Sequence, residues 1–149
     1  MFRTVLFGIL SVVVLFGNSR VAQAQVGKHP HMHHSLHELK QSREELKEAA
    51  HNFGGHREKA LKAVDAAIHQ IEVALKAAGD PYKGGKVGNE EYKQYAHHPH
   101  IHHAIHELKE ARAELKNAAH NFGGHREAAL RDVNLAIEQL ELALKSVKK

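Results

Sequence analysis

Residues 29–78 align with residues 98–147 without a gap, at an offset of 69, and 33 of the 50 positions are identical. A chain that carries one unit twice folds that unit twice, and the copies then bury each other's apolar faces. The first copy opens HPHMHHSLHELK and the second HPHIHHAIHELK, and both contain AAHNFGGHRE. The stretch from Gly79 to His97 is rich in Gly and polar residues and reads as a connection, with one helical turn near Glu90–Tyr95.

Each copy reads as two helices. Leu36, Leu39, Leu46 and Phe53 recur at spacings of three, four and seven, with Arg43 and Ala50 filling the row. Beyond Gly54-Gly55 come Leu61, Val64, Ile68, Ile71 and Leu75. The second copy repeats both rows at Ile105, Leu108, Leu115 and Phe122, then at Leu130, Val133, Ile137, Leu140 and Leu144. Gly54 and Gly123 suit the left-handed position that ends a helix, so each copy predicts an αα-hairpin. One hairpin leaves an apolar stripe uncovered, and two close it. The predicted fold is all-α, a four-helix bundle made of two tandem hairpins. The second helix of each copy has the fuller row and is expected to supply most of the core. The first is expected to pack more loosely, or to bring Arg43 and Arg112 to acidic partners at the bundle edge. A monomer and a homodimer exchanging hairpins both satisfy the pattern.

Residues 1–24 read as a secretory signal peptide. Arg3 supplies the positive start, Val5–Phe16 the short apolar run, and Ala22-Gln23-Ala24 a small-x-small cleavage site. The expected layout is then a His-rich arm and first hairpin over 25–78, a linker over 79–97 and the second His-rich segment and hairpin over 98–149. Export to the periplasm or the medium is expected, without stable membrane insertion after cleavage. Without Arg3 and Arg20 the net charge falls from +4 to near +2, with acids and bases interspersed, so a nucleic-acid partner is not expected.

Cys is absent, which removes thiolate metal sites, Cys nucleophiles and covalent haem attachment. His, by contrast, numbers 16 of 149 residues. Seven recur at matched positions: His29, His31, His33, His34, His37, His51 and His56, answered by His98, His100, His102, His103, His106, His120 and His125. Pro30 disfavours helix before it, so HPHxHH reads as an extended arm projecting alternate imidazoles to one side. His33 and His37, like His102 and His106, then lie one helical turn apart and can anchor one ion. Glu38 and Glu107 are placed to add an oxygen ligand or to orient a ring. In HNFGGHR, His51 and His56, and likewise His120 and His125, are expected to face each other across the Gly-Gly reversal, as ligands or as helix-end residues. On a helical wheel His33, His37 and His51 fall well off the apolar stripe, so buried histidines are not expected. All fourteen are therefore candidate metal ligands. Imidazole without thiolate suits copper, nickel and zinc, with copper first in affinity. Met32, alone beyond the leader, argues against a dedicated Cu(I) thioether site.

An exported, Cys-free, His-rich, internally repeated helical chain resembles the small metal-binding proteins of the bacterial periplasm. The resemblance implies binding of several divalent ions, copper foremost, in storage, buffering or tolerance. The HNFGGHR hairpin also resembles an element of uncharacterised exported bacterial proteins. Catalysis is not expected. Glu48-x-x-His51 fits a di-iron bundle, but the second copy has Asn117-x-x-His120. Two alternatives stand beside metal binding: a noncovalent haem protein with His from facing helices, and an interaction module that responds to pH through its histidines.

Overall fold

The computed structural model describes residues 28–83 and 97–147. The expected leader and the helical turn near Glu90–Tyr95 lie outside the described residues. Four helices are present: α1 (Pro30–Glu48), α2 (His56–Ala77), α3 (Pro99–Asn117) and α4 (His125–Ser146). The architecture is the expected four-helix bundle.

Contacts between the hairpins show how they stack. His31, early in α1, meets Glu114 late in α3, and His100 meets Glu45. His56 at the start of α2 meets Gln139 in α4, and His125 meets Gln70. The hairpins therefore lie face to face, α1 antiparallel on α3 and α2 antiparallel on α4. An approximate twofold axis relates the copies, because each of these contacts occurs twice at the offset of 69.

The buried residues explain the close stacking. Along α2 the seam runs Ala60, Ala67, Ala74, and along α4 Ala129, Ala136, Ala143. Along the other pair it runs Ser35, Ser42, Ala49 against Ala104, Ala111, Ala118. Small side chains every seventh residue keep one stripe of each helix low, so the backbones approach and larger residues interlock on both sides. Ser42 Oγ donates to the Ala104 carbonyl at 3.4 Å across that seam. Two expectations are corrected here. Ser42 and Ala49, not Arg43 and Ala50, continue the α1 row, since a close antiparallel crossing selects for size as well as hydropathy. The first helices also pack as closely as the second, with Met32, Leu36, Leu39 and Leu46 fully buried. Arg43 does reach acids at the edge, Glu44 at 3.2 Å and Asp65 at 3.8 Å, while Arg112 donates to Asn134.

Enlarging the seam tests this packing. Ala136→Leu is expected to cost about 1–3 kcal/mol in urea unfolding, as overpacking does. Ala113→Leu on an exposed face should stay within about 0.5 kcal/mol of the parent.

Candidate metal centre

The HPHxHH segments are helical, not extended: Pro30 and Pro99 take the first helical turn, where a missing N–H costs nothing. His29 and His98 become the residues flanking the helix starts. This moves the imidazoles from alternation to a helical distribution, and it separates the histidines into three groups.

The first group lies between α1 and α3. On α1, His31, His34, Glu38, Gln41, Glu45 and Glu48 follow one another at spacings of three and four. On α3 the equivalent row is His100, His103, Glu107, Glu110, Glu114 and Asn117. Antiparallel docking brings the imidazole end of each row to the carboxylate end of the other. His31 Nδ1 lies 2.6 Å from Glu114 Oε2, with His34 Nδ1 at 4.0 Å from the same oxygen. At the opposite end His100 Nδ1 lies 2.7 Å from Glu45 Oε2 and 3.8 Å from Glu48 Oε2, and His103 Nδ1 is 3.5 Å from Glu45 Oε2.

The two ends differ in one residue. Glu48 makes the second a three-ligand set, with donor atoms of Glu45, Glu48 and His100 all within 4.8 Å of one another. Asn117 stands at the equivalent position of the first. A four-coordinate ion with ligands near 2.1 Å spaces its donors about 3.4 Å apart, so small side-chain adjustments close this set around one cation. His100 and Glu48 are partly open to solvent, at 39% and 57%, while Glu45 is held at 18%. His103 is buried, against the expectation that no histidine would be, because it turns inward toward Glu45.

At the centre of the seam Glu38 and Glu107 meet across the approximate twofold axis. Burial, then the hydrogen bond and charge of Glu38, then Glu45 and Glu110, push the Glu107 carboxyl up to about 8. The pair therefore holds a proton at neutral pH, each carboxyl serving the other.

The second group is His33, His37, His102 and His106, of which His33 faces the segment that follows α2. His33 Nε2 approaches Asp80 at 3.1 Å and its ring stacks on Tyr82. Burial raises Asp80, but the His33 ring beside it and the hydrogen bond from the His29 N–H outweigh that and leave its carboxyl below the ordinary range. His37 and His106 follow one turn beyond His33 and His102.

The third group belongs to HNFGGHR. The motif is a folded turn: Gly54 and Gly123 have φ of 64° and 66°, and Arg57 and Arg126 donate to the carbonyls of Leu46 and Ala118 that end α1 and α3. Within it His51 and His56 do not share a partner. His56 Nδ1 bonds Gln139 at 3.0 Å, and His125 bonds Gln70 at 2.7 Å, so both join α2 to α4. His51 instead stands 5.9 Å from His98, and His120 5.8 Å from His29, measured between ring centroids. The turn reverses the chain too sharply for its two rings to meet, and each looks to the opposite hairpin.

Histidine spacing alone does not single out Glu45 and Glu114, and it places Glu48 only beside His51. The signal was present: a polar row at spacings of three and four runs beside the apolar row of each first helix. Among the described residues no helix is long and apolar enough to cross a membrane. No protein-family model, curated protein or solved structure matches the chain.

Proposed function

We propose that this chain is an exported protein that binds divalent transition-metal ions, copper, nickel or zinc, between its two hairpins, and serves in metal storage, buffering or tolerance. The observation that carries the reading is the Glu45–Glu48–His100 set, in which an imidazole and two carboxylates from different hairpins converge. His103 beside Glu45 orients the set from behind. The His31–His34–Glu114 set is its weaker counterpart, with Asn117 where the third ligand would stand. Export rests on the leader-like composition of residues 1–24.

Calorimetry with Cu(II), Ni(II) and Zn(II) tests the reading. The wild-type chain should bind tightly at pH 7.5, copper most strongly. Glu45→Ala with Glu48→Ala and His100→Ala should weaken the tightest site at least tenfold. The corresponding changes at His31, His34 and Glu114 should affect only a weaker one. Protons compete for every ligand, so affinity should fall as pH falls. Equal affinity in the first variant, with helical circular dichroism intact, rejects the assignment.

A further inference from the structure

A cleft of about 140 Å³ lies where the start of α1 meets the end of α3, and its walls include His29, His31, Met32, His120 and Phe122. His29 and His120 face each other there at 5.8 Å between ring centroids, near edge-to-face. Phe122 packs edge-on against His29 at 4.9 Å and against His120 at 5.9 Å, which restrains both rings. Two imidazoles bound to one ion through nitrogens at about 2.1 Å put their centroids on the order of 5–6 Å apart; edge-to-face ring packing gives the same spacing, so the pair stands near enough to share an ion once its nitrogens turn to it.

The donor chemistry differs from that of the α1–α3 seam. No acidic side chain lines the cleft and Lys28 does; Asp80, which accepts from the His29 N–H, and Glu114, which meets His31, stand just outside it. Neutral donors beside a cation offer little compensation for desolvating a doubly charged ion. They suit a singly charged one. Met32 is fully buried in the wall, and its thioether is the soft donor that selects Cu(I) over the divalent ions. One methionine in a chain is weak as a count, but its place beside two imidazoles is specific.

We propose that His29, His120 and Met32 form a separate site for a soft monovalent cation, Cu(I) or its analogue Ag(I). The opposite end of the bundle supplies the comparison. His51 and His98 stand at 5.9 Å, and Phe53 packs on His98 at 5.0 Å, as in the first end. The residue equivalent to Met32 there is Ile101, so this end has the imidazole pair without the sulfur. The proposal goes beyond the divalent reading and uses none of its carboxylates.

The test is Cu(I) binding to the full chain, kept reduced and set in competition with bathocuproine disulfonate. X-ray absorption at the copper edge is recorded on the same samples. The wild-type chain should hold one tight equivalent with a sulfur neighbour. Met32→Ile, which copies the residue already accommodated at the equivalent place in α3, should lower affinity at least tenfold and remove the sulfur signal. His29→Ala with His120→Ala should lower it further, and Glu45→Ala with Glu48→Ala should leave it unchanged. Copper surrounded only by nitrogen and oxygen in the wild-type chain overturns the proposal, and needs no variant to be folded. Affinity and sulfur signal unaltered by Met32→Ile overturn it as well. Divalent binding unchanged by Glu45→Ala with Glu48→Ala, with Cu(I) binding kept, would sink the seam and leave this site standing.

Discussion

Zinc at a hundred times its dissociation constant is expected to raise the free energy of unfolding by about 2–3 kcal/mol, or about 10 °C in the midpoint of a bundle this size. The reason lies in which residues share a site. Glu45 and Glu48 belong to one hairpin and His100 to the other, more than fifty residues away in the chain. An ion held by all three binds the docked hairpins and not the unfolded polypeptide, so its binding energy becomes stability. The contiguous imidazoles of HPHxHH survive unfolding and contribute affinity without contributing stability. Glu45→Ala with Glu48→Ala should therefore cut the zinc-induced shift to less than about 1 kcal/mol while leaving residual zinc binding to the histidines. Thermal unfolding followed by circular dichroism, with and without zinc, measures both quantities. In excess chelator the helical signal should persist, because the alanine seams and apolar rows close the bundle without metal.

The second large effect concerns the carboxyl pair at the centre of the seam. Glu107 holds its proton to about pH 8 in the folded chain and releases it near 4.5 when unfolded. The folded state thus binds more protons than the unfolded one between those values, and stability falls as pH rises through that window. Below about 4.5 this group contributes no slope, and above about 8 the loss is complete. The loss is on the order of 2–4 kcal/mol. Glu107→Gln keeps the shape and the hydrogen bond but carries no charge. It is expected to be more stable than the parent at pH 8 by about 1–3 kcal/mol and close to it at pH 4.5. Urea unfolding of metal-free protein at the two pH values gives the comparison. A parent more stable than the variant at pH 8 would show that burial beside Glu38 does not hold the Glu107 carboxyl protonated.

The repeat, the four helices and the Gly-Gly reversals were legible in the sequence because each is set by local periodicity or backbone conformation. Gly54 and Gly123 adopt the left-handed geometry that their place after a helix predicts. The pairing of side chains was not legible in the same way. Whether His51 meets His56 or His98 depends on how two hairpins dock, and docking is chosen by the small residues every seventh position, which a reading of large apolar residues passes over. Pro30 acts in two ways: it restricts the residue before it, and it also favours the first turn of a helix, which is the conformation the HPHxHH segments adopt. The carboxylates facing His31 and His100 lie 83 and 55 residues away in sequence. Their presence on the same seam is a consequence of antiparallel stacking, which becomes readable only once the polar rows are aligned in opposite directions.

Anomalous scattering from crystals grown with zinc, recorded across its absorption edge, addresses the central claim most directly. A peak bounded by Glu45, Glu48 and His100, stronger than any at His31 and Glu114, is the predicted result. Zinc found only on the exposed imidazoles of the helix starts, with Glu45 and Glu48 unliganded, would contradict it.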